Sequence, residues 1–162
     1  MKYNIFFIGP AGSGKSTLGN YFSKKQNFVF VECDKFHSKA NILKMKNGVS
    51  INKIERLKWV KRVKKKLIRN SKINLVISFS GLVKAHRKML IDKSKINFFI
   101  FLKTTNKILK KRLDRRKGHF FNPILLSNQI KSFQISKDLI VLDSNKSVFY
   151  NYKKINEFIK FD

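Results

Sequence analysis

Short, continuous apolar runs alternate along this chain with longer stretches in which apolar residues recur every three or four positions. The runs are Tyr3–Ile8, Phe28–Cys33, Leu75–Phe79, Ile96–Leu102 and Leu139–Leu142. A strand covered on both faces of a sheet reads this way, because neither row of its side chains meets water. Between the runs the spacing predicts helices over Lys15–Lys25, where Leu18 and Phe22 share a face, and over Lys39–Lys46, Ile54–Arg69, Lys84–Ile91 and Asn106–Arg116. In Ile54–Arg69, Val60, Val63 and Leu67 form an apolar stripe, while Lys61, Lys64, Lys65 and Lys66 lie off it and read as a solvated face. A terminal helix places Val148, Tyr152, Ile155 and Ile159 on one side. Strands alternating with helices predict a parallel sheet sandwiched between helical layers, with ligands bound at the carboxyl ends of the strands.

Composition adds bounds to this α/β reading. The chain has 162 residues, which suits one domain over 1–162. Its 43% hydrophobic and 13% aromatic content is that of a globular protein. No apolar run approaches the roughly 18–20 residues that span a bilayer, so no membrane partner is expected. The apolar start is also too short for a secretory signal and leads directly into a glycine-rich loop. The single cysteine, Cys33, excludes an internal disulfide and a cysteine-based zinc site, and the expected location is the cytoplasm. A net charge of +28 raises the question of a polyanionic partner. Against that, 30 lysines stand beside 7 arginines and are spread through the whole chain. Arginine is the usual residue for bidentate phosphate and base contacts. The joint abundance of Lys, Asn, Ile and Phe matches A/T-rich codon usage, so no specific nucleic-acid partner is expected.

The chemistry begins where the first run ends. Gly9-Pro10-Ala11-Gly12-Ser13-Gly14-Lys15-Ser16 satisfies G-x-x-x-x-G-K-S/T in full, between a strand and a helix. Glycines let backbone N–H groups turn toward an anion, and the helix N-terminus adds its positive dipole end. Gly9, Ala11, Gly12, Ser13, Gly14, Lys15, Ser16 and Thr17 are therefore the expected nucleotide-binding residues. Lys15 reaches the β- and γ-phosphates and Ser16 ligates Mg²⁺. The motif by itself implies binding of a nucleoside triphosphate and leaves the acceptor open. At the end of the second run stand Glu32 and Asp34, two acids at i, i+2 that a continued strand would point the same way. One could hold Mg²⁺ through water and the other could take the proton of an attacking hydroxyl.

The spacing of Glu32, Asp34, His37, Asn41, Lys44, Met45, Gly48, Ile51, Arg56 and Trp59 resembles the second motif of the gluconate kinase family of small P-loop kinases. Ser80-Gly81-Leu82 with Lys84 and Arg87 is similar to a further segment of that family. So are Arg112-Leu113 with Arg116-Lys117-Gly118-His119-Phe120-Phe121, and Leu125, Leu126 and Gln129 of the next helix. The resemblance covers about residues 5–143. It implies a three-layer αβα P-loop fold with a five-stranded parallel sheet and a mobile lid over about 117–123. It also implies transfer of the γ-phosphate of ATP to the 6-hydroxyl of D-gluconate, with Mg²⁺. In that scheme Asp34 is the catalytic base or the hydroxyl-orienting group, and Lys15 and Arg116 are the catalytic cations. Arg112 lies near the adenine, and Glu32 assists Ser16 at the metal. Arg56 pairs with the substrate carboxylate, and His37, Ser80, Gly81, Lys84 and His119 line the acceptor pocket. The family also suggests a homodimer.

The chain departs from the family pattern at Glu32, at Lys53 and Glu55 before Arg56, at His86 and at Gln134. A shikimate-type kinase is the near rival, and a non-catalytic, basic nucleotide- or RNA-binding protein is the rival from another class. Lys15, Ser16, Asp34 and Arg116 argue against the second.

Overall fold

The computed structural model describes residues 1–116 and 118–161; Lys117, at the start of the expected lid, and Asp162 lie outside them. Five strands, β1 (Tyr3–Ile8), β2 (Val29–Glu32), β3 (Leu75–Ser78), β4 (Ile96–Lys103) and β5 (Leu139–Asp143), form one sheet in the order β2-β3-β1-β4-β5. Every pairing is parallel. The helices are α1 (Lys15–Gln26), α2 (Lys39–Lys46), α3 (Lys53–Ile68), α4 (Lys84–Leu90), α5 (Asn106–Asp114), α6 (Leu126–Lys131) and α7 (Val148–Phe158). Among the described residues no helix is long and apolar enough to cross a membrane.

The period-2 alternation of β1 builds both halves of the core. Phe6 and Ile8 face one layer, where they meet Trp59, Val60, Val63 and Leu67 of α3 and Leu90 of α4. Ile5 and Phe7 face the other, against Leu18 and Phe22 of α1 and Ile155 of α7. All six residues of β1 are buried, which is why that strand reads as one apolar run. A third, smaller cluster joins Met45 and Ile51 to Leu109 and Leu113 of α5 and to Phe121, Leu125 and Leu126. It fastens the α5–α6 region onto the carboxyl end of the sheet.

Two boundaries differ from the sequence expectation in ways that matter for function. The second strand stops at Glu32, and Cys33–Phe36 form a single 3-10 turn, so Asp34 is not on a strand. Strand pleating therefore does not align Glu32 with Asp34: Asp34 lines the acceptor cavity, and Glu32, the last residue of β2, lines neither cavity at the phosphate loop. Helix α5 ends at Asp114, two residues before the expected Arg116. Arg116 lies beyond the helix, with its backbone N–H still donating to Leu113 O at 3.0 Å. Residues 118–122 contain neither helix nor strand. They are seated by Phe121 in the third cluster and by Asn122, whose backbone N–H donates to Met45 O and whose Nδ2 donates to Lys46 O.

Candidate active site

Strand order sets where the chemistry collects. β1 is central, and the loop after it, Gly9–Gly14, is flanked by the ends of β3 and β4. Gly9 N–H donates to Ser80 O at 3.0 Å, which ties the loop to the segment after β3. Gly14 is the residue before α1 and has φ 90°, a left-handed conformation that an L side chain resists. It provides no side-chain cap, so the first-turn N–H groups of α1 remain available for an anion. Lys15 Nζ donates to Pro10 O at 2.8 Å across the loop. Burial pulls the Lys15 ammonium below its ordinary pKa, against the opposing pull of the Asp34 and Glu32 carboxylates.

Two cavities meet at this loop. One, of about 470 Å³, is lined by Gly12–Leu18, Arg112, Arg116, Ser144, Lys146 and Val148, among others. Arg112 is fixed there: it donates to Gly12 O at 3.2 Å, to Ser144 Oγ at 2.7 Å and to Ser144 O at 2.8 Å. Ser144 Oγ in turn donates to Ser13 O at 2.7 Å. The arginine thus clamps the phosphate loop to the segment after β5. Sequence reasoning placed Arg112 beside the nucleotide but missed Ser144, which no motif marks.

The second cavity, of about 360 Å³, lies on the other side of Lys15 and is lined by Asp34, His37, Arg56, Trp59, Ser80, Arg116 and His119, among others. Burial raises the Asp34 carboxyl above its ordinary pKa, and Lys15 and Arg116 pull it back down. A carboxylate whose pKa is raised is a stronger proton acceptor than a free one. Arg56 has no hydrogen-bond or ion-pair partner among the described residues, and burial alone lowers its pKa. The reason lies in the residue before it. Glu55 completes the capping box of α3 with Asn52 and pairs with Lys44. It is committed elsewhere, and Arg56 is left with its planar fork open to a ligand carboxylate. Lys44 is therefore structural.

An aromatic wall backs the pocket. His37 stacks on Trp59 at 4.4 Å between ring centroids, and Trp59 stacks on Phe79 at 5.1 Å. Trp59 is 2% exposed and donates from Nε1 to Cys33 O at 2.9 Å, so the ring fixes the turn that carries Asp34. His37 and His119 are both lowered to about 4, chiefly by burial, and are neutral at physiological pH. His119 Nδ1 accepts from Phe121 N–H at 3.1 Å, which leaves the proton on Nε2. That atom lies 3.9 Å from Asp34 Oδ2. A neutral histidine at this distance is a polar neighbour of the carboxylate and not an ion pair.

Lys84 departs from its expected place. It is exposed on the first turn of α4 and does not line the pocket; its backbone N–H is held by Gln134 Oε1 at 2.8 Å. Gly81 also stays outside the lining. Its φ is 59°, and a Cβ there would come within 2.6 Å of Ile8, so it shapes the loop behind Ser80. Arg87 is 1% exposed and donates to Gly81 O, Gln134 O and Ser136 Oγ, which makes it a brace for the same loop.

The donor set around Ser16 fits a hard cation that keeps most of its water. Ser16 Oγ lies 3.3 Å from Ser78 Oγ, and Ser78 is paired in register with Glu32. Among the described residues no cluster of three or more His, Cys, Asp or Glu could hold a metal without help. Mg²⁺ at a phosphate loop needs none, because phosphate and water oxygens complete its shell.

The chain is similar to several known proteins. Residues 5–119 match the AAA domain family. A probable gluconokinase of Dictyostelium discoideum is 34% identical over 143 residues, covering 83% of this chain and 71% of that protein. The thermoresistant gluconokinase of Escherichia coli K12 is 30% identical over 143 residues, covering 84% and 81%. A crystal structure of a gluconokinase from Sinorhizobium meliloti 1021 superposes with a TM-score of 0.80 at 26% identity, covering 93% of this chain and 87% of that one.

Proposed function

The chain belongs to the gluconokinase family, and on that premise we propose that it transfers the γ-phosphate of ATP to the 6-hydroxyl of D-gluconate, giving 6-phosphogluconate and ADP. One observation carries the reading: an unpartnered Arg56 and a pKa-raised Asp34 face one pocket that opens onto the Lys15 phosphate loop. A sugar acid has a carboxylate at one end and a primary hydroxyl at the other. Arg56 holds the first and Asp34 meets the second.

The residues divide the work as follows. The N–H groups of Gly14–Thr17 and the Lys15 ammonium hold the β- and γ-phosphates. Arg112 fixes the loop and borders the base. Asp34 accepts the acceptor's proton as its oxygen bonds to phosphorus and the bond to the ADP oxygen breaks. Arg116 lines both cavities and meets the charge on the transferring group. Ser16, with Glu32 acting through water, would hold Mg²⁺, which when bound neutralises phosphate charge. His37 and Trp59 supply a neutral, flat wall for the sugar chain. The 118–123 segment acts as a lid that keeps water, a competing acceptor, away from the phosphoryl group.

An ADP-release assay across gluconate, shikimate and other sugar acids tests the reading. Turnover is expected on gluconate above the others; preference for shikimate, or no turnover on any acid, would overturn it. Arg56→Ala is expected to raise the KM for gluconate by about 10- to 100-fold, the size of a lost charged hydrogen-bond pair at about 1.5–3 kcal/mol. Its KM for ATP should stay near that of the wild type. Arg56→Lys should fall between, since it keeps the charge and loses the fork. An unchanged gluconate KM in Arg56→Ala would remove that arginine from the site.

A further inference from the structure

We propose that Gln129 is a positioning residue that ties the phosphate-binding loop to the acceptor pocket, so that donor and acceptor are aligned through one side-chain amide. The inference rests on the gluconate-kinase reading above and assigns a task to a residue outside the phosphate loop and the two acidic positions. Gln129 Oε1 accepts a hydrogen bond from Ala11 N–H at 2.8 Å, across 118 positions of sequence. Other hydrogen bonds of this loop run within the loop, to the segment after β3, or to the Arg112–Ser144 clamp on the nucleotide side. The Gln129 bond comes from the acceptor side: Gln129 and Ala11 both line the acceptor cavity, together with Asp34 and Arg56.

Chemistry fixes the orientation of the amide. A backbone N–H is a donor only, so the oxygen must face Ala11 and the NH2 must face away. That NH2 has no protein partner among the described residues and is free to donate to an acceptor hydroxyl or a phosphoryl oxygen. Helix α6 itself is positioned by Leu125 and Leu126, buried in the third cluster with Phe121 of the lid segment and with Leu109 and Leu113 of α5. Ala11 packs against the same cluster. Phe121, α6 and Ala11 thus share one apolar cluster, which holds Gln129 beside the loop.

Gln129→Met keeps the length and bulk and removes both polar ends. Its kcat is expected to fall by roughly 10- to 100-fold, the cost of small misalignments between reacting groups. Its KM for ATP should change by less than about threefold, because the amides of Gly14–Thr17 still hold the phosphates. Amide exchange followed by NMR supplies a readout that altered packing alone does not predict. Ala11 N–H should be protected in the wild type and exposed in Gln129→Met. Gln129→Glu gives the second reading: its carboxylate still accepts from Ala11, so that amide should stay protected and kcat should fall less than in Gln129→Met. A kcat within twofold of wild type in Gln129→Met, or Ala11 exchange equal in wild type and Gln129→Met, would overturn the role. No turnover by the wild type would remove the function and this inference together, whereas wild-type turnover with an unaffected Gln129→Met would count against Gln129 alone.

Discussion

Replacing Asp34 with asparagine is expected to lower kcat on gluconate by roughly 10²- to 10⁴-fold, the usual contribution of a positioned general base. Asparagine fills the same space and can still accept a hydrogen bond from the attacking hydroxyl. It cannot take the proton. Asp34 is the acid whose pKa is raised by burial while Lys15 and Arg116 oppose that shift. ATP binding, measured by calorimetry, should change little, because the phosphates are held by backbone amides and Lys15. Removing the carboxylate also removes its electrostatic pull on Lys15, so any change in ATP affinity should be toward tighter binding. Turnover within tenfold of wild type would show that the hydroxyl loses its proton elsewhere.

Replacing Arg116 with alanine is expected to cost on the order of 10³-fold in kcat, the lower end of what a phosphoryl-transfer arginine contributes. The residue lines the nucleotide cavity and the acceptor cavity alike. It acts electrostatically on Lys15, Asp34 and His119, so its charge reaches each group around the point of transfer. Arg116→Lys should recover part of the loss, since a point charge remains and the fork does not. The effect should appear in kcat much more than in the KM for gluconate, because in the proposed mechanism Arg56 carries the ground-state carboxylate. A loss confined to KM would move Arg116 from the transferring group to substrate capture.

Both substitutions act on residues that the chain's own pattern singles out, but their settings were legible to different degrees. Lys15 and Ser16 follow from a local motif whose geometry is set by eight consecutive residues. Asp34 could be named from spacing, while its presentation could not. A strand through Cys33 would have pointed Glu32 and Asp34 alike by pleating; the chain instead turns at Cys33 into a 3-10 segment. That turn is held from afar, by the Trp59 indole N–H on Cys33 O. Lys84 shows the converse. Its match to a family segment suggested a pocket residue, but the first turn of α4 faces outward, and the braces Arg87 and Gln134 turn the loop so that Ser80 alone reaches the cavity.

The arginines were named by family resemblance; by itself the sequence determined the layered α/β fold, the phosphate loop and the acidic pair. Each depends on a period of two or near four, or on a motif a few residues long, and such signals are local. Tertiary structure alone decided that Glu55 would be spent on a cap and on Lys44, leaving Arg56 open. It alone decided that His119 would face Asp34 as a neutral ring, and that Gln129 would hold Ala11. Those outcomes depend on which polar groups meet across long stretches of chain once the core has closed. They also depend on burial, which shifts the pKa of Asp34 and His119 and exists only in the packed molecule.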